Sequence, residues 1–69
     1  MTKDFPKRLQ QLRERKRISR KTLSELCGLT SGAIRRYERG ERMPTVDALI
    51  AIADCLGVSV DYLLGRTGF

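Results

Sequence analysis

Turn-forming and capping residues cut this chain into short stretches, and within each stretch the apolar residues recur with the period of a helix. Asp4-Phe5-Pro6 opens the first, where proline is tolerated because its missing N–H has no helical partner. Phe5, Leu9 and Leu12 then share one face, which predicts a helix over about 5–16. Ser19 is a capping hydroxyl for a second helix, 20–27, with Leu23, Leu26 and Cys27 facing inward and Gly28 ending it. Thr30 is the expected cap of a third, 31–39, which Gly40 stops. Pro44-Thr45 opens a fourth, 46–56, in which Val46, Leu49, Ile52, Ala53 and Leu56 recur at i, i+3 and i+4 before Gly57. Ser59 caps a last short helix, 60–64, carrying Val60, Leu63 and Leu64. Beyond the five residues 58–62, no stretch alternates apolar and polar residues with period two. The expected fold class is therefore all-α: a single compact domain over 1–69, built of five short helices.

Helices below ~12–15 residues are marginal in isolation, so these five must share one core. Phe5, Leu9, Leu12, Ile18, Leu23, Leu26, Leu29, Ile34, Leu49, Ile52, Leu56, Val58 and Leu63 are enough to form it. No apolar run approaches the ~20 residues of a bilayer span, and MTKDFPKRLQ lacks the apolar stretch of a secretory signal. The expectation is a cytoplasmic protein without a membrane partner. Cys27 and Cys55 stand at apolar positions in a chain with no histidine, which gives no zinc set. Both are read as core thiols, with a disulfide or a reactive thiol as the lesser alternatives.

The net charge of +6 is unevenly placed. Residues 13–42 hold ten Lys/Arg against Glu14, Glu25, Glu38 and Glu41, whereas residues 43–69 hold Arg66 against Asp47, Asp54 and Asp61. A one-sided basic field points to an anionic partner, with nucleic acid ahead of membrane because aromatic residues are few. The helix pair 20–27 and 31–39, joined through Gly28-Leu29-Thr30, has the arrangement of a helix-turn-helix. On a wheel stepped by about 100° per residue from Ile34, Tyr37 and Glu38 fall on the Ile34 side. Gly32, Arg36 and Arg39 fall opposite, with Arg35 at the edge. Glycine within a helix costs about 1 kcal/mol against alanine, so Gly32 reads as a place of close backbone approach to a partner. Glu38, turned inward, needs a cation, and Arg13 beside the Leu9/Leu12 stripe is the candidate for a structural ion pair.

At this point the residues carry a resemblance. LRERKRISRKTLSELCGLTSGAIRRYERGERMPTVDALIAIADCLGVSVDYLLG resembles the lambda repressor/Cro-like helix-turn-helix family, also called the xenobiotic-response-element family. The marks are Leu12-Arg13, Ile18-Ser19, Leu23, Gly28, Ile34, Glu38-x-Gly40, Pro44, Leu49, Ala53, Leu56-Gly57-Val58 and Tyr62-Leu63-Leu64. The resemblance implies a sequence-specific regulator of transcription, a repressor, that sets helix 31–39 in the major groove of operator DNA, commonly as a homodimer. It implies that the family's arginine–glutamate pair falls on Arg13 and Glu38. Its DNA-contacting positions carry over to Ser19, Arg20, Ser31, Gly32, Arg35, Arg36, Arg39 and Arg42. Arg20 stands where the family usually has glutamine, and Gly32-Ala33 where polar side chains are common. These departures remove amides suited to adenine and leave arginines suited to guanine or phosphate.

An enzyme is not expected: there is no histidine, no acid pair in a cleft, no phosphate-binding loop and no cofactor or metal set. The alternative function is an antitoxin or protein-interaction adaptor of the same fold, which neutralises a partner protein and represses its own promoter. RNA binding lacks a stacking platform, since the aromatic residues are Phe5, Tyr37, Tyr62 and Phe69 alone. Tyr62, Leu64 and Phe69 either supply a dimer interface or cap the domain.

Overall fold

The computed structural model describes residues 4–66. They form five helices: α1 (Phe5–Arg15), α2 (Arg20–Leu26), α3 (Ala33–Glu38), α4 (Val46–Leu56) and α5 (Val60–Leu63). Three of them begin as the hydroxyl pattern predicts. Ser19, Thr45 and Ser59 are extended residues whose side-chain oxygens accept hydrogen bonds from the backbone N–H groups of Thr22 (3.0 Å), Ala48 (3.1 Å) and Tyr62 (3.0 Å). Each bond satisfies one of the donors that a helix start leaves without a partner.

The five C-termini share a single solution. At the end of α3, the N–H of Gly40 donates to the carbonyl of Tyr37 (3.1 Å) and that of Glu41 to Arg36 (2.9 Å), the paired bonds of a Schellman motif. The same pair of bonds closes α1 at Arg17 and Ile18, α2 at Gly28 and Leu29, α4 at Gly57 and Val58, and α5 at Gly65 and Arg66. The motif requires a left-handed residue. Four helices use glycine there, and α1 alone uses a side chain-bearing residue, Arg17, at φ 57°.

The principal helix contacts run α1–α3, α3–α2, α2–α4, α4–α5 and α5–α1, a closed circuit around one core. Phe5, Leu9, Leu23, Ile34, Ile52, Leu56 and Leu63 are fully buried there, joined by Leu12, Ala33, Tyr37, Leu49 and Ala53. Ile18, Leu29, Val58, Tyr62 and Leu64 pack half-buried against it. Arg8 lies over the Tyr62 ring at 5.1 Å and links α1 to α5. Tyr62 and Leu64 thus cover the core in this chain; Phe69 lies outside the described residues.

Three expectations about the core need correction. Leu26 is 61% exposed, because the inward face of α2 is centred on Leu23, Ser24 and Cys27, and the small Ser24 takes the buried place against the neighbouring helices. Val46 is 72% exposed: it is the first residue of α4 and lies on the same outward side as Ile50. Cys27 is only half-buried and Cys55 is exposed, one step round the helix from the buried Leu56. Leu26, Val46 and Cys55 lie off the centre line of their helices' apolar stripes, whereas Cys27 faces inward at the open end of α2 and packs only partly against the core.

The left-handed Arg17 gives a stability test. Left-handed backbone costs an L-residue about 1–2 kcal/mol that glycine avoids, so Arg17→Gly should raise the urea midpoint by an amount worth about 1 kcal/mol. Equilibrium unfolding checks this; a lower midpoint at unchanged m-value would contradict it.

Candidate nucleic-acid interface

The inner face of α3 is made of Ala33, Ile34 and Tyr37, all buried, and its last residue is Glu38. The Glu38 side chain is 3% exposed, and a carboxylate so far from water must be compensated by hydrogen-bonded cations. Two arginines supply them. Arg13 grips it with both edges of its fork, Nε to Oε2 at 2.6 Å and Nη2 to Oε1 at 3.2 Å. Arg20 donates from Nε to Oε1 at 3.0 Å. The remaining Arg13 nitrogen, Nη1, donates to the carbonyl of Ile18 at 2.9 Å. The hydrogen bonds that the Arg13 guanidinium donates to Glu38 hold it above the ordinary arginine range, against the opposing effect of burial. One carboxylate therefore fastens the end of α3 to the last turn of α1 and to the first residue of α2.

With Tyr37 and Glu38 facing inward, the 3.6-residue period turns Arg35, Arg36 and Arg39 outward, and all three are exposed. Arg39 shares a surface ion pair with Glu41 at 2.9 Å. Ser19 and Arg20 stand exposed at the start of α2, and Arg42 is exposed in the loop that follows α3. The turn before α3 departs from the expectation. The third helix begins at Ala33, not at residue 31, and its N-cap is Gly32 rather than Thr30. Ser31 and Gly32 belong to the turn, both exposed. Gly32 has φ 85° and ψ −4°, a left-handed conformation, and a Cβ built on it would meet nothing within 4 Å. Its glycine thus answers a backbone requirement, not a crowded approach within this chain.

Between this turn, α3 and the start of α4 lies an open groove of about 340 Å³. Leu29, Thr30, Ala33 and Tyr37 line it together with the guanidinium-bearing Arg36 and Arg42. Thr30, read in the sequence only as a helix cap, is not legible as part of this surface, because residues that line a groove across two elements carry no period. The second partner of Glu38 was equally hidden: Arg20 is 18 residues away, and no helical spacing connects them. Among the described residues no three His, Cys, Asp or Glu side chains gather as a metal set.

The two arginines differ in what their loss should cost. Arg13 is 9% exposed at its side chain and Arg20 is 51% exposed. Glu38→Gln strands Arg13 as an uncompensated buried charge and should lower unfolding free energy by roughly 3–5 kcal/mol. Arg13→Met should cost less, because Arg20 still neutralises Glu38, and Arg20→Ala no more than about 1 kcal/mol. Denaturant unfolding of the three variants ranks them; an Arg20→Ala loss equal to that of Glu38→Gln would overturn the assignment.

Comparison with known proteins agrees with this geometry. The helix-turn-helix family model matches residues 9–63. The uncharacterised HTH-type transcriptional regulator YqaE of Bacillus subtilis is 37% identical over 60 residues, covering 87% of this chain and 52% of that protein. The cryptic phage CTXphi transcriptional repressor RstR of Vibrio cholerae is 39% identical over 44 residues, covering 64% of this chain and 39% of that protein. The chain thus spans about half the length, or less, of these curated relatives. The crystal structure of the P22 c2 repressor protein in complex with a synthetic operator matches with a TM-score of 0.88 at 30% identity, covering 96% of this chain and 100% of that one. The family model covers most of the sequence, and this chain's own five helices agree with it: the chain belongs to the helix-turn-helix family of the Cro/C1 type.

Proposed function

We propose that this chain binds double-stranded operator DNA sequence-specifically and acts in transcription regulation as a repressor, by occupying its site and not by catalysis. The observation that carries the reading is the orientation of α3. Glu38 and Tyr37 anchor one face, so Arg35, Arg36 and Arg39 stand out on the other, beside a groove that holds Arg36 and Arg42. The P22 c2 repressor, whose structure was determined with a synthetic operator, supports the same use of the same fold here. The alternative of an antitoxin or adaptor is not favoured by relatives named as transcriptional regulators.

The residue roles follow from position and charge. Arg36, at the groove, takes base edges; its fork matches guanine O6 and N7. Arg35 lies at the edge of the same face. Arg20 has its Nε committed to Glu38, so only its Nη groups remain for DNA, and guanine readout rests chiefly on Arg36. Ser31 offers its hydroxyl to the DNA backbone, and Gly32 sets the turn that delivers α3. Ser19, whose own hydroxyl caps α2 and donates to Thr22 Oγ1 at 2.9 Å, lies at the same surface through the start of that helix. Arg39 and Arg42, behind the leading end, contact phosphates and position the domain without reading sequence. Two copies placed about 34 Å apart along one face of the duplex would read a two-fold operator.

Selection of DNA sites from a random pool should return two guanine-containing half-sites in inverted repeat. Arg36→Ala should relax discrimination at one base pair per half-site by about 1–3 kcal/mol. Arg39→Ala and Arg42→Ala should instead weaken binding to every sequence alike and reduce the salt slope by about 1 each. Half-sites made of A·T pairs alone, or no selected sequence at all, would sink the proposal.

A further inference from the structure

DNA binding leaves both cysteines unused, and the fold brings them together. Cys27 is the C-cap residue of α2 and Cys55 lies in the last turn of α4. They are 28 residues apart in the chain, yet the Cys27 thiol donates to the Cys55 sulfur at 3.7 Å. Both are free thiols, Cys55 exposed and Cys27 half-buried. A disulfide needs its sulfurs at about 2.05 Å with the Cβ atoms near 3.8 Å, so two thiols already in contact require little further approach.

We propose that Cys27 and Cys55 are a reversible modification site, a dithiol that closes into an intramolecular disulfide on exposure to a small-molecule disulfide. The order of events follows from the environments of the two thiols. Burial, reinforced by the hydrogen bond to Cys55, pushes the Cys27 thiol up to about 12, so at neutral pH it stays protonated. Cys55 is the exposed member and attacks first. Its thiolate displaces one half of the small disulfide, forming a mixed disulfide and releasing one thiol. The Cys27 sulfur, giving up its proton, then attacks the Cys55 sulfur and expels the second thiol. The protein dithiol loses two electrons and two protons, and the small disulfide gains them as two thiols.

The ring so closed runs from the end of α2 through the turn, all of α3 and nearly all of α4. It staples together two helices that are adjacent in the circuit, around the segment that carries Arg35, Arg36, Arg39 and Arg42. The crosslink restricts the unfolded chain far more than the folded one. The groups proposed for DNA lie at the start of α2, on α3 and in its following loop, and neither sulfur is among them. The consequence is a domain whose stability, rather than its sequence preference, depends on thiol redox state.

The test is exposure of the purified chain to glutathione disulfide at neutral pH, followed by intact-mass measurement and thiol alkylation. The end product should be a monomer lighter by the mass of two hydrogens, unable to take up N-ethylmaleimide, and restored by a thiol reductant. Its Tm should rise by about 10 °C or more, and its DNA affinity should stay within about twofold. Cys27→Ser should stop at a single glutathione adduct on Cys55, while Cys55→Ser should leave Cys27 a thiol under the same exposure. Lasting glutathione adducts on the unmodified sequence, disulfide-linked dimers, or a closed ring with an unchanged or lower Tm would each overturn the proposal. The chemistry is read without DNA, so its failure leaves the operator-binding proposal standing.

Discussion

Almost everything about the candidate interface depends on one buried carboxylate. Glu38 lies at the end of α3 with its side chain 3% exposed, and a charge in that position persists only if cations reach it with good geometry. Arg13 does so from α1 and Arg20 from the start of α2. Arg13 in turn spends its last nitrogen on the carbonyl of Ile18, just past the left-handed Arg17 that ends α1. The end of α1, the beginning of α2 and the end of α3 therefore meet at one guanidinium–carboxylate cluster. A buried ion pair adds little net stability over a well-packed apolar group of the same size, but a misplaced one is costly. Its contribution here is to fix the rotation of α3, and with it the side on which the exposed arginines stand.

That fixing matters because α3 has little else to hold it as a helix. It is six residues long, has no side-chain cap, and carries Arg35 and Arg36 next to each other. Helices of this length draw their stability from packing. Ala33, Ile34 and Tyr37 bury one side of it against the core, and the paired hydrogen bonds at Gly40 and Glu41 finish its C-terminus. The other side is released from any packing duty, and the residues on it are free to be chosen for a polyanionic partner. The same division appears on a larger scale: each helix closes with the same two hydrogen bonds and passes its apolar face to the next in a closed circuit. A short chain thereby buries one continuous core without any single long helix.

Legibility in the sequence followed the strength of the local signal. The five helices were visible because apolar residues at i, i+3 and i+4 alternate with capping hydroxyls and glycines, and Ser19, Thr45 and Ser59 cap as that pattern says. The inward turn of Glu38 was visible from the wheel, since it lies within one step of the Ile34 face. Leu26 and Val46 were misplaced because each lies at the border of its stripe, where hydrophobicity alone does not choose between core and surface. The start of α3 was misplaced for a different reason. Thr30 offers a good capping oxygen, but Gly32 takes a left-handed conformation directly before Ala33, so the helix starts after it.

The number and type of helices, the all-α class, the basic face and the family are all written in residue spacing or in a linear run of residues. Tertiary structure decided which long-range partners meet. It gave Glu38 a second arginine across 18 residues, joined Arg36 and Arg42 along one groove, and set the sulfurs of Cys27 and Cys55 against each other. The physical reason is the same in each case. Periodicity reports which side of an element faces the protein, whereas contact between elements depends on how their axes cross and how closely side chains of a given size let them approach.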